Sequence, residues 1–224
     1  CMRLTVIIPV LNEESTIKTV INKVLSQKIV TSIVVVDDGS SDRTPEILKR
    51  VKNPKVKVIT HCKNMGKGAA VRSALKIVSD DYLIIQDADL EYNPSQYSLL
   101  IPFAKPDTVV YGSRLLIDTN KHAYLSTFLG NVFITWVFNM LFNRKLTDTY
   151  TCYKLLPRKL ARSLNLSSNG FAIEAEITGK LAKKGVKIIE VPIKFSPRRY
   201  EQGKKIRSKD ALIGLLTFFK IRLT

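Results

Sequence analysis

The chain is poor in the residues that build metal clusters and disulfide frameworks. Its three cysteines, Cys1, Cys62 and Cys152, form no CxxC or Cys/His spacing, and an odd count supports no disulfide scaffold. A reducing, cytoplasmic setting is the simpler expectation. His61 and His122 stand alone and suggest no ligand role. Low-complexity tracts and internal repeats are missing, and the first apolar run closes at Pro9 and Asn12-Glu13, too soon for a signal peptide. Acidic residues are scarce, 19 against 36 basic ones, for a net charge of +17. That excess calls for an anionic substrate, membrane surface or nucleic acid. Against nucleic acid, the chain carries no zinc spacing and no aromatic RNA-binding signature. A non-catalytic basic module remains the contrasting reading.

What is present is a rhythm. Residues 4 to 10, 33 to 37, 56 to 60, 82 to 86 and 108 to 112 are short runs rich in Val and Ile. Apolar almost throughout, they predict strands buried on both faces, as in a parallel sheet flanked by helices. Between them, Ile17, Val20, Ile21, Val24 and Leu25 follow helical spacing behind an Asn12 cap, and Pro45 fits the first turn of a second helix. The expected fold class is therefore α/β, a doubly wound, mostly parallel sheet with helices on both faces. At 224 residues, a single domain spanning 1–224 is expected.

Asp87-Ala88-Asp89 directly follows the run Tyr82-Leu83-Ile84-Ile85 and precedes Glu91. Carboxylates fixed at the carboxyl edge of such a sheet sit where open α/β folds bind ligands, and hard oxygen donors suit Mg²⁺ or Mn²⁺. A cation there is most useful for holding a diphosphate. The alternative for Asp87 and Asp89 is a helix cap or a solvated loop. Two earlier turns, Pro9-Val10-Leu11-Asn12-Glu13 and Asp37-Asp38-Gly39-Ser40, belong to the same edge, where a carboxylate can accept from a base N–H or a ribose hydroxyl; Asp42 is expected to cap the next helix. Asn64-Met65-Gly66-Lys67-Gly68 lacks Walker A spacing; Lys67 either meets a phosphate or simply opens a helix. Arg114, behind Gly112-Ser113, has a planar fork suited to phosphate.

Together these segments resemble the family 2 glycosyltransferases of GT-A fold, and most closely the dolichyl-phosphate mannose synthase and polyprenyl-phosphate glycosyltransferase group. The likeness covers nearly the whole chain. It implies a metal-dependent, inverting transfer of a hexose from a UDP- or GDP-sugar to a polyprenyl phosphate, with a saccharide acceptor as the alternative. By the resemblance, Pro9, Leu11, Glu13, Val36 and Asp38 line the nucleoside pocket, Ala88 lies beside it, and Asp87, Asp89 and Glu91 surround Mg²⁺ or Mn²⁺. Leu11 stands where the mannose synthases usually carry Tyr, and Glu91 where they commonly carry Gln. Asp148, in Leu146-Thr147-Asp148-Thr149-Tyr150, falls in the acceptor-side motif and serves catalysis with Arg114. Glu174 and Glu176 fall on a nearby helix, where their spacing lets at most one point inward. The same reading divides the chain into a donor half (1–115), an acceptor half (116–195) and a basic, apolar tail (196–224).

Two segments suggest a membrane surface. Tyr124 to Phe142 runs 19 residues without a charge, and from Lys194 onward nine basic residues face only Glu201 and Asp210. The first would reach about 28 Å as a helix, but Ser126, Thr127, Asn131, Thr135 and Asn139 interrupt it. An interfacial helix is favoured over a spanning one, with plain core packing as the alternative. In the tail, a mobile basic loop over a diphosphate is one reading and a solvated basic surface the other; Arg199 and Lys205 are the expected substrate contacts. The expected placement is peripheral, on the cytoplasmic face of a membrane, with an anionic surface or a membrane protein as partner.

Overall fold

A computed structural model describes residues 2–117, 124–198 and 208–224. The five apolar runs form strands β1 (Leu4–Val10), β2 (Val30–Asp37), β3 (Val56–Thr60), β4 (Tyr82–Ile85) and β5 (Thr108–Ser113). Two further strands, β6 (Lys154–Pro157) and β7 (Lys187–Pro192), complete one seven-stranded sheet of order β3-β2-β1-β4-β6-β5-β7. All neighbours pair parallel except at β6, which runs antiparallel to both β4 and β5. The expected doubly wound, mostly parallel sheet is what forms. β6 has no counterpart in the sequence reading: it is four residues long, opens on a lysine and closes on a proline.

Helices α1 (Ile17–Leu25) and α2 (Thr44–Lys49) connect β1 to β2 and β2 to β3, moving outward in one direction. The chain then returns through α3 (Lys67–Ile77) past β1 to form β4. Right-handed crossovers place outward and returning helices on opposite faces, and α3 indeed packs across β1 and β2 beside a later helix, α7 (Ala172–Lys183). Short α4 (Tyr97–Leu100) precedes β5. The second half adds α5 (Leu125–Phe142), α6 (Arg158–Ser163), α7 (Ala172–Lys183) and α8 (Ser208–Leu223).

Strand order reverses between β1 and β4, and that reversal opens a crevice at the carboxyl ends of the strands. Because β6 is antiparallel, its entry rather than its exit lies at this edge, so residues 148 to 153 are delivered beside Asp87 and Asp89. Strand β7 ends there too, and Phe195 bridges to Tyr92 just beyond. Loops from both halves of the chain thus converge.

Local capping departs from expectation in one place. Asn12 does not cap α1; it takes a left-handed conformation (φ +50°), and its side-chain oxygen accepts from the Ser41 N–H at 2.8 Å. Helix α1 starts later, at Ile17, without a side-chain cap. Asp42 does serve the start of α2, accepting from Thr44 N–H at 2.9 Å. The tail is docked rather than free over residues 208–224: α8 lies on α7, with Phe218 and Ile221 buried against Gly179. The approach is close enough at Gly214 that a Cβ there would meet the Tyr150 hydroxyl at 1.6 Å.

Candidate active site

The carboxylates at the crevice are already paired with cations. Glu13 receives Arg198 at both oxygens (3.1 and 3.0 Å), and the same guanidinium reaches Asp89 at 3.0 Å. Glu91 accepts the Arg198 backbone N–H at 2.6 Å. Burial, with the charges of Asp87 and Glu91 alongside, pushes the Asp89 carboxyl up to about 7 despite Arg198. Such a crowded acid at a strand end is characteristic of functional positions.

Asp87 turns the other way. It meets the Lys67 ammonium at 2.7 Å, and Lys67 also lies 2.9 Å from Glu174. Behind them the fully buried Lys154 bonds to Glu174 and to the Thr151 carbonyl, over the ring of Tyr111. Charges therefore alternate from Lys154 through Glu174 and Lys67 to Asp87. Burial opposes the Lys67 ammonium, yet Asp87 and Glu174 hold it well above its ordinary range; Asp87 is held below its own. Lys67 is placed by the start of α3, where Gly66 (φ +94°) lets the chain pass the Asn169 carbonyl; a Cβ would stand 2.5 Å from that oxygen.

These pairings change the expected metal trio. Asp87, Asp89 and Glu91 offer the hard oxygens that a divalent cation takes, but among the described residues no three potential ligands converge on one point. Lys67 and Arg198 hold the carboxylates instead.

In the expected nucleoside pocket, Pro9 pairs in register with Val36, which is buried, while Leu11 and Ala88 sit at the strand ends. Asp38 is engaged by partners within the protein. Its oxygens accept from the Met65 and Gly66 N–H groups (3.0 and 2.7 Å) and meet His61 Nδ1 at 2.7 Å. His61, assigned no chemistry from the sequence, is thus a half-buried partner that also reaches Ser73 at 2.9 Å.

Across the crevice, Arg114 and Asp148 find each other. Nε and Nη2 of Arg114 donate to the two oxygens of Asp148 at 2.7 and 2.8 Å, and the Arg114 backbone N–H adds a third bond at 3.1 Å. Burial raises the Asp148 carboxyl, but Arg114 and Asn131 outweigh it and hold Asp148 below the usual range. Glu190 on β7 accepts the N–H groups of Thr147 and Asp148, fixing the loop. The arginine fork expected to be open to phosphate is engaged by the acid expected to work beside it.

Both Glu174 and Glu176 are buried, but as their spacing requires they leave α7 on different faces, and only Glu174 turns toward the crevice lysines. Glu174 goes to the lysines, whereas Glu176 receives the Ser167 and Ser168 N–H groups and Lys180. Arg199 and Lys205 lie outside the described residues. The residue passed over was Arg198, indistinguishable in sequence from its neighbour Arg199; Lys154 and Asn131 likewise carried no signal, since a lysine or asparagine inside an apolar segment reads as surface.

The fold has known counterparts. A dolichol-phosphate mannosyltransferase of Pyrococcus furiosus is 29% identical over 91% of this chain and 59% of its own length. A UDP-N-acetylglucosamine–dolichyl-phosphate N-acetylglucosaminyltransferase of Methanococcus voltae is 28% identical over 96% of this chain and 93% of its own. Among solved structures, glucosyl-3-phosphoglycerate synthase of Mycobacterium tuberculosis, in complex with Mn²⁺, uridine diphosphate and phosphoglyceric acid, superposes with a TM-score of 0.74 at 18% identity, covering 99% of this chain and 78% of that one. The family model for glycosyl transferase family 2 matches residues 5–164, from the first strand through the converging loops, and the chain belongs to that family.

Proposed function

We propose that this glycosyltransferase moves a hexose from a nucleotide diphosphate sugar to a polyprenyl phosphate at a membrane surface, with inversion. The observation that carries the acceptor side is the division of α5. Leu125, Leu129, Phe133, Trp136 and Met140 form one stripe, each between 54% and 69% exposed, while the opposite side bonds to the Asp148 loop. An apolar stripe of that size on the helix that holds the acceptor-side acid suits an acceptor whose tail lies in lipid. Plain core packing does not leave Trp136 and Met140 in water, and a membrane-spanning α5 would forfeit its bonds to residues 146–149, although its length and apolarity alone would allow it. Exposed Leu212, Leu216 and Leu223 on α8, beside Lys220 and Arg222, supply the second, weaker anchor that stable docking requires. The names of the Pyrococcus and Methanococcus relatives point to the same acceptor class.

On the donor side, residues 1–115 take the nucleotide sugar, with Pro9, Leu11, Glu13, Val36 and Asp38 around the nucleoside. Asp89, with Asp87 and Glu91 alongside, would hold Mg²⁺ or Mn²⁺ once Arg198 releases it; the ion, when bound, neutralises charge on the diphosphate. Lys67, Arg198 and, further along the sequence, Arg199 and Lys205 add cations for the leaving group. Asp148 is anionic at neutral pH and fixes the Arg114 guanidinium toward the anionic substrates. A phosphate acceptor has its second pKa near 6 and is largely ionised already, so the transfer needs orientation more than a general base.

The test is direct. Enzyme with Mn²⁺ and labelled UDP- or GDP-sugars is offered polyprenyl phosphate in vesicles or free saccharides, with and without EDTA. Lipid-linked product that disappears with EDTA is the expected outcome. Product on saccharides alone would reassign the acceptor, and no transfer from any nucleotide sugar would remove the donor reading.

A further inference from the structure

We propose that Asn131 is a positioning residue for Asp148, acting from the inner side of α5. This inference rests on the reading of Asp148 as the acceptor-side acid. Asn131, Thr135 and Asn139 recur at four-residue intervals and so share one side of the helix. Asn139 both donates to the Leu146 carbonyl and accepts from its N–H (2.8 and 2.9 Å), and Thr135 meets Thr149 at 2.9 Å. Those two residues bracket the loop. Asn131 alone reaches the carboxylate, donating from Nδ2 to Asp148 Oδ1 at 3.1 Å, on the oxygen that also receives Arg114 Nη2.

The other half of the Asn131 amide carries the argument. With its NH₂ committed to a carboxylate, the carbonyl oxygen must point away, and it is buried with no hydrogen-bond partner among the described residues. An unpaired buried acceptor works against stability. On a helix this apolar, an aliphatic side chain would avoid that penalty. What the asparagine contributes in exchange is the bond to Asp148, which fixes the acid and, through the bidentate pair, the direction of the Arg114 fork.

Four proteins decide the matter: wild type, Asn131→Ala, Asp148→Asn and the double variant, assayed for kcat and donor KM with labelled nucleotide sugar and polyprenyl phosphate. Losing a hydrogen bond to a charged group should lower kcat of Asn131→Ala about 10- to 30-fold, with donor KM and Tm near wild type. In the Asp148→Asn background the same substitution should change kcat by no more than about two-fold, because the residue it acts through is already altered. Equal losses in both backgrounds, or no loss in wild type, overturn the proposal. If Asn131→Ala does not fold, Asn131→Leu, which keeps the size but cannot donate, should show the same loss, and Asn131→Gln should recover part of it; wild-type kcat in Asn131→Leu overturns the proposal equally. Full activity in Asp148→Asn would instead remove the reading of Asp148 itself.

Discussion

Two aspartates sit at opposite ends of one strand and live under opposite conditions. Asp80, just before β4, accepts two bonds from the Arg3 guanidinium (2.9 and 2.7 Å) and one each from Thr5 and Ser32 (2.9 and 2.8 Å). Burial raises its carboxyl, but those donors outweigh it and hold it below the usual range. Asp89, just after β4, has the burial with fewer donors, Arg198 at 3.0 Å and the Glu91 N–H at 3.1 Å, and these do not offset burial and the crowding by Asp87 and Glu91, so its carboxyl rises to about 7. A satisfied carboxylate closes the amino edge of the sheet; a crowded one leaves the carboxyl edge in want of a cation. The contrast sets the carboxyl edge of the sheet apart from the amino edge.

Substitution should separate the two aspartates most sharply. Asp89→Asn is expected to lower transferase kcat on the order of 10²–10³-fold while leaving Tm unchanged or slightly raised, because a neutral amide relieves the crowding. Asp80→Asn should do the reverse, costing about 1–3 kcal/mol of stability with kcat intact well below Tm. Equal activity losses in both variants would erase the distinction.

A smaller effect is expected at Arg198. Arg198→Met removes the cation that occupies Glu13 and Asp89, so Mn²⁺ should bind the donor-free protein about five-fold more tightly, as expected for the loss of a partly exposed competing charge; titration followed by electron paramagnetic resonance reads this. Weaker Mn²⁺ binding would mean that Arg198 supports the site rather than competing for it.

The smallest signal lies in the pH dependence of Tm. A carboxyl raised from 3.8 to about 7 on folding binds its proton more tightly in the folded state, so its contribution to stability declines as pH rises from about 4 to 7. The advantage of Asp89→Asn over wild type should therefore grow across that window. For Asp80, whose folded value is lowered, the contribution is present above pH 3.8 and lost as pH falls through the lowered value, so the deficit of Asp80→Asn should shrink only in acid.

How much of this was legible in the residues depends on whether the signal is local. Val34-Val35-Val36 and Leu83-Ile84-Ile85 announce buried strands because both faces are apolar, and the carboxylates behind them necessarily fall at the strand ends. Strand β6 could not be read that way, since Lys154 is tolerated inside the sheet only through Glu174, twenty residues on in sequence. Arg198 and Arg199 are equivalent as letters; β7 and the Tyr92–Phe195 bridge carry Arg198 to the carboxylates. Asp38 looked available until the loop at Met65 and the ring of His61 closed on it.

The sequence by itself determined the α/β class, the parallel strands and the presence of acids at their carboxyl ends, because continuous apolar runs, helical spacing and turn chemistry act over a few residues. Tertiary structure alone decided which acid meets which base: Asp87 with Lys67, Asp89 with Arg198, Asp148 with Arg114 and Asn131. Those pairings depend on distances between side chains far apart in the chain, and those that reach Arg198, Asp148 and Asn131 exist only once the second half of the molecule has been turned back onto the edge built by the first.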